Sequence, residues 1–374
     1  MAFLAISGLA IYATIGRFDL TDGVPVVADS IADWLVTRAA FDGLDPHAPV
    51  ERLAAIYDVD YKSPLTSGGP AHPRLPGALL LQAPMVLTDA VTASYWLVGL
   101  GLVSVVVIGW LLTARNRASL VASLAFVVFA LWSGVGVWSF LWVTQSAVIA
   151  GLFYFATCYH RERDLPWIAG ILLGLMAVLK PHWLALLIPF ALTKRWLPVG
   201  IAGGTFVVLN AIGLVLFGLG MTEILRTLSQ TFESWFVSGS NVSLASWIQR
   251  LMPIGRSAVL AVHATFLVAW LARAIRAPRH PTAELMGWAV VAVFLSPLAW
   301  LHYMMVCLPV IWLFLTTAEI PMSSRAIAGL GTLALWPTRL GFLFPAGVLL
   351  LLVAVVLAAS VPILPSRSDP AQTG

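Results

Sequence analysis

Residues 167–217 read WIAGILLGLMAVLKPHWLALLIPFALTKRWLPVGIAGGTFVVLNAIGLVLF. Three apolar runs, about 166–180, 182–193 and 196–217, are separated by Lys180-Pro181-His182 and by Thr193-Lys194-Arg195. A helix needs roughly 20 mostly apolar residues to cross the hydrocarbon layer, and shorter runs serve when neighbours bury them. Lys180 and the Lys194–Arg195 pair fall at successive ends of such runs, so they mark opposite membrane faces. The pattern extends outward from here. Further long runs lie at about 92–113, 136–157, 257–275, 283–300, 301–318 and 340–362, with shorter ones near 2–16, 118–133 and 326–338. The expected fold is an all-α integral membrane bundle of about 10–13 transmembrane helices. Hydrophobic residues make up 60% of the 374 and charged residues 10%, far more apolar sequence than one soluble core could bury.

Basic residues give the bundle a direction. Arg115 and Arg117, Arg161 and Arg163, Lys194 and Arg195, Arg273, Arg276 and Arg279, Arg325 and Arg367 fall on one side when crossings alternate from an inside N-terminus. The positive-inside rule makes that side cytoplasmic. The opposite side receives two long loops, 17–91 and 218–256, which hold most of the acids. The net charge of +4 is therefore a topology signal, and no run of like charge suggests a nucleic-acid partner. Cys158 and Cys307 both lie in apolar runs, which argues against a disulfide. The first apolar run lacks a basic leader and a small-residue cleavage site, and reads as an uncleaved anchor. We expect one polytopic domain over 1–362 and a short cytoplasmic tail over 363–374, without the inverted repeat of many transporters.

The outer loops are not featureless. DSIADWLVTRAAF (29–41) spaces Ile31, Trp34, Leu35, Arg38 and Phe41 as one helix face, with Asp29 and Asp33 on a neighbouring face. Gly43 and Pro46 stop it. A Gly/Ser/Pro-rich piece leads to an apolar run at 77–88. In the second loop, MTEILRTLSQTFESWFV (221–237) aligns Ile224, Leu225, Leu228, Phe232, Trp235 and Phe236. Both are expected to be amphipathic helices lying on the membrane surface.

Polar side chains at or near the membrane are costly, so each is a candidate. Asp29 could accept a proton from a hydroxyl, or could simply cap a helix. Lys180 could hold a phosphate as a point charge, or could snorkel to the interface. His302 follows a break at Ser296-Pro297 and could donate to phosphate, bind a metal or be structural. Gln145, Asn241 and Arg250 are polar among apolar neighbours and could equally satisfy buried backbone. No phosphate-binding glycine loop, dinucleotide fingerprint, HExxH or CxxC occurs, and no Ser or Cys has a nucleophile's setting.

Several motifs together resemble glycosyltransferase family 87, the polyprenyl-phosphate-mannose-dependent mannosyltransferase-like proteins of the GT-C superfamily. Asp29 with GLDP at 43–46, HPRLPGALLLQAP, LKPHWLALLIPFALTKRW, GSNVSLASWIQRL and LSPLAWLHYMMVCLP carry the likeness, over roughly residues 29–320. The resemblance implies a GT-C bundle whose outer-loop helices form a groove, with Asp29 as general base on an acceptor hydroxyl. It implies Lys180 and His302 near the donor phosphate, and Asn241 and Arg250 lining the cavity. Gln145 stands where the family has its Gly-Gln-x-Asn signature. Asp33 replaces aromatic residues usual after the first acid, and His72 stands within the usual Tyr-Pro-Pro; both are counted as substrate-binding candidates. The expected activity is inverting transfer of a hexose, mannose in particular, from a polyprenyl-phosphate donor to a lipid or glycan acceptor of the cell envelope. No metal or cofactor is expected. Partners would be donor, acceptor and bilayer, with the site on the extracytoplasmic side of the cell membrane. The alternative is a carrier or flippase of lipid-linked sugars, although its charges would sit at the midplane and not at one surface.

Overall fold

The computed structural model describes residues 28–61, 74–114, 116–133, 145–162, 165–235, 241, 243–252, 255–276, 280–296, 299, 301–335 and 343–359. These residues form helices joined by short turns, and the chain is an all-α membrane protein. Among the described residues, three helices are long and apolar enough to cross a membrane unaided: α4 (Ala90–Ala114), α9 (Trp196–Phe217) and most of α12 (Arg256–Arg276). Val207, Val208, Ile212, Val215 and Leu216 on α9 are exposed, as are Leu260, Leu267 and Val268 on α12. Apolar faces of that extent fit lipid, not water.

The other helices of the bundle are shorter, and each buries one part of its surface against neighbours. They are α5 (Leu120–Trp132), α6 (Gln145–Glu162), α7 (Pro166–Leu179), α8 (Leu187–Leu192), α13 (Pro281–Phe294), α14 (Met304–Thr316), α15 (Met322–Ala334) and α16 (Leu343–Ala359). Helix α13 is buried along its whole length. Small residues set the closest approaches, as expected where lipid gives little hydrophobic drive between helices. A Cβ on Gly174 of α7 would lie 2.6 Å from Thr205 of α9, and one on Gly170 would lie 2.8 Å from Ile201. Polar ties complete the packing. The Trp312 indole N–H of α14 donates to the Ala122 carbonyl of α5 at 2.8 Å, and Arg273 of α12 pairs with Glu284 of α13 at 2.7 Å.

The outer-loop segment has its own apolar core. It contains α1 (Ala28–Phe41), α2 (Val50–Ile56), α3 (Pro76–Gln82) and the 3-10 turn Ala83–Leu87. Ile31, Leu35, Leu53, Leu79 and Ala93 pack together there. This corrects one expectation for the first loop. Residues 30–37 of α1 are all buried, so it is an internal helix and not an amphipathic rod on the surface. Its polar atoms have partners: the Trp34 indole N–H donates to the Thr88 carbonyl at 2.9 Å, and the Thr37 hydroxyl to Gln82 Oε1 at 3.1 Å. The helix ends as expected, at Phe41, before Gly43 turns with a φ of 72°. Helix α3 is held by α9: the Gly77 N–H donates to Asn210 Oδ1 at 3.1 Å. Pro76 sits directly against Gly213, leaving no room for a Cβ. The second loop contributes α10 (Met221–Trp235), whose Leu225 is exposed and Ile224 buried, and α11 (Leu244–Leu251).

Candidate active site

Helix α1 begins at Ala28, which places Asp29 in its first turn and not at the capping position. Asp33 follows one turn later on the same side. At 1% exposure Asp33 is enclosed, and its carboxylate is bound by Arg74, itself 7% exposed, through both the Nε and an Nη of the guanidinium. A buried carboxylate and guanidinium stabilise each other only when paired this closely. Asp29 differs. It is half-buried, and among the described residues it forms no hydrogen bond or ion pair. Desolvation is the largest effect on its carboxyl, followed by repulsion from Asp33. Together they outweigh the attraction of Arg74 and Lys180 and raise its pKa to about 6.

Lys180 enters from the bundle beneath. It follows the last residue of α7 in an extended conformation, because Pro181 starts the 3-10 turn Pro181–Leu186 and the helix cannot continue. Its ammonium lies 5.6 Å from the centre of the Tyr303 ring and, among the described residues, makes no ion pair. The field of Lys180 reaches Asp29, Asp33 and Arg74. His182, two residues on, stacks on Tyr303 with ring centres 5.0 Å apart, and its Nε2 is buried with no hydrogen-bond partner among the described residues. His302 is buried and sets its ring edge-on to Tyr303 at 4.7 Å. One aromatic ring thus organises a lysine and two histidines against the acidic start of α1.

Asn241 and Arg250 have another setting. Asn241 is fully buried, and its Oδ1 accepts from the backbone N–H of Ser243 and of Ala299, both at 3.1 Å. It ties the second outer loop to the segment leading to His302. Arg250 is exposed, and its guanidinium donates to the carbonyls of Asn241 at 3.1 Å and Ser246 at 3.3 Å. His72 lies outside the described residues, as does the side chain of Gln145, which opens α6. Three residues now join the site that motif reasoning did not select: Arg74, His182 and Tyr303. In the sequence Arg74 stood only as one residue of HPRLPGALLLQAP, and its burial shows that it must be paired. Among the described residues, no group of three or more His, Cys, Asp or Glu could hold a metal ion.

Asp29 and Lys180, each without an ion pair among the described residues and each in the other's field, can serve two halves of one reaction. The carboxylate can take a proton, and the ammonium can face a phosphate. The family model for glycosyltransferase family 87 matches residues 76–300, which contain Gln145, Lys180, His182, Asn241 and Arg250. Asp29, Asp33, His72, Arg74, His302 and Tyr303 lie outside the matched stretch. A search of curated proteins finds no match to the chain. With more than half its length matched and an all-α membrane architecture around the paired charges, the chain belongs to glycosyltransferase family 87 and is a membrane glycosyltransferase.

Proposed function

We propose that this glycosyltransferase moves a hexose, mannose in our reading, from a polyprenyl-phosphate donor to a hydroxyl of a lipid or glycan acceptor. The active site would face the extracytoplasmic side of the cell membrane. Asp29 takes the proton of the acceptor hydroxyl as its oxygen bonds to the anomeric carbon. The bond from that carbon to the phosphate oxygen breaks on the opposite face, its electron pair leaving with polyprenyl phosphate, so the configuration inverts. Lys180 faces the departing phosphate, with His182 and His302 next to it. The Asp33–Arg74 pair supplies a fixed wall: Asp33 is occupied by Arg74 and is not the base.

The observation that carries this reading is the separation of Asp29 and Lys180, neighbours in each other's field that make no bond to one another. Transfer from radiolabelled polyprenyl-phosphate mannose by membranes holding the protein is the direct test. Asp29→Asn should reduce transfer by about a hundredfold or more, the usual range for losing a general base. Lys180→Ala should raise KM for the donor more than for the acceptor. Full activity in the first variant removes Asp29 as base, and an unchanged donor dependence in the second reduces Lys180 to an anchor.

A further inference from the structure

Tyr303 closes the 3-10 turn Leu301–Tyr303 and immediately precedes α14. Its ring is held on several sides. His182 stacks on it at 5.0 Å, His302 meets it edge-on at 4.7 Å, Trp183 lies at 6.5 Å and the Lys180 ammonium at 5.6 Å from its centre. Only 6% of the residue is exposed, so the side chain has little freedom left to lose when a ligand binds. The hydroxyl at the far end of the ring has another setting. Among the described residues it makes no hydrogen bond. Nor is that oxygen sealed within the protein as His182 Nε2 is, so it fronts open space. The charges of Arg74, Asp29 and Asp33 all act on it. A buried tyrosine usually finds a partner for its O–H, because a bond left unmade away from water is costly. A phenylalanine would pack the same ring without that cost. The unused hydroxyl therefore points to a ligand.

Place and chemistry together select that ligand. In the proposed transfer, the anomeric carbon lies between the acceptor oxygen at Asp29 and the phosphate at Lys180. Tyr303 spans this interval, with Lys180 against its ring and the charge of Asp29 acting on its hydroxyl. A phosphate placed at the hydroxyl would be repelled by Asp29. A sugar hydroxyl is neutral and, like the phenol, both donates and accepts. We propose that the Tyr303 hydroxyl hydrogen-bonds one hydroxyl of the transferred hexose and so sets which sugar is accepted, an assignment that rests on the transfer reaction proposed for this site. The stacked ring keeps the hydroxyl fixed, and a site built around one such bond rejects a sugar that lacks the matching group.

Tyr303→Phe keeps the ring and its stack while deleting the oxygen. Full-length wild type and variant are compared with radiolabelled polyprenyl-phosphate mannose and with a series of analogues each lacking one sugar hydroxyl. Wild type should transfer mannose and discriminate against one analogue by about tenfold or more in kcat/KM. Tyr303→Phe should lose about tenfold with mannose, yet use that one analogue as well as wild type does, since the bond is already absent. Its thermal midpoint in detergent should equal or exceed that of wild type, because no partner within the protein is lost. Unchanged transfer of mannose by the variant, an equal loss with mannose and every analogue, or a lower midpoint would each overturn the assignment. Wild type alone gives a second measurement: equal use of all the analogues would also overturn it. Failure of wild type to transfer mannose would overturn the transfer reaction and the tyrosine assignment with it, whereas the other outcomes leave that reaction standing.

Discussion

Asp29 and Asp33 are one turn apart on α1, yet their carboxylates meet different neighbours. Arg74 holds Asp33, while Asp29 lies in the field of Lys180 without pairing with it, and its pKa is raised to about 6. Transfer that depends on Asp29 as a base should therefore fall as pH drops through about 6, because protonation removes the acceptor for the hydroxyl proton. A profile of kcat/KM against pH checks this, and the acid limb should vanish in Asp29→Asn. The same raised value has a stability consequence. A carboxyl whose folded pKa lies above its unfolded one is held at a cost once ionised, and that cost grows as pH rises from about 4 to about 6. Asp29→Asn removes the cost, so its thermal midpoint in detergent at pH 7 should equal or exceed that of wild type while activity is lost. A drop in midpoint would assign Asp29 to scaffolding. Asp33→Asn should behave in the opposite way, leaving Arg74 buried without its charge partner at a cost of about 3–5 kcal/mol.

At the level of elements, the site is held by helices meeting at small residues. Helix α3 wedges against α9 at Gly213 and donates its Gly77 N–H to Asn210 Oδ1, and α1 packs on α3. The carboxylates of α1 thereby stand in fixed relation to Lys180, because α9 also packs on α7. Gly174→Ala should push α7 from α9, since its Cβ would meet Thr205 at 2.6 Å and the Ala202 carbonyl at 2.9 Å. We expect a loss of about 1–3 kcal/mol, read as a lower thermal midpoint. Gly203→Ala on α9, where a Cβ meets nothing within 4 Å, should be neutral or slightly stabilising. Equal effects of the two substitutions would mean that the α7–α9 approach does not set the packing.

Across the whole molecule, two charged regions lie at opposite ends of α7: Asp29, Arg74 and Lys180 at one, Lys194 and Arg195 at the other. In the topology read from the basic residues, the first is outside and the second inside. Arg52→Cys, at an exposed position on α2, should react with a membrane-impermeant thiol reagent in intact cells. Lys194→Cys should react only after permeabilisation. Labelling of both from one side would break the topology, and with it the extracytoplasmic placement of the reaction.

The apolar helical runs and the helices of both outer loops were legible in the order of residues alone. Membrane partition is a sum over a local window, so a run such as 196–217 declares itself without knowledge of its neighbours. Asp29 and Lys180 were selected on the same local ground, as charges at the ends of apolar or helical runs. The burial of α1, the stacking of His182 on Tyr303 and the use of Asn241 as a loop tie were not legible. Nor was the pairing of Asp33 with Arg74, which lies 41 residues away along the chain. Burial and pairing decide whether a carboxylate is a scaffold or a base, and both depend on which groups meet through space. Which of Asp29 and Asp33 is held by a guanidinium belonged to the tertiary structure, because only packing sets which charge loses its water and which gains a partner.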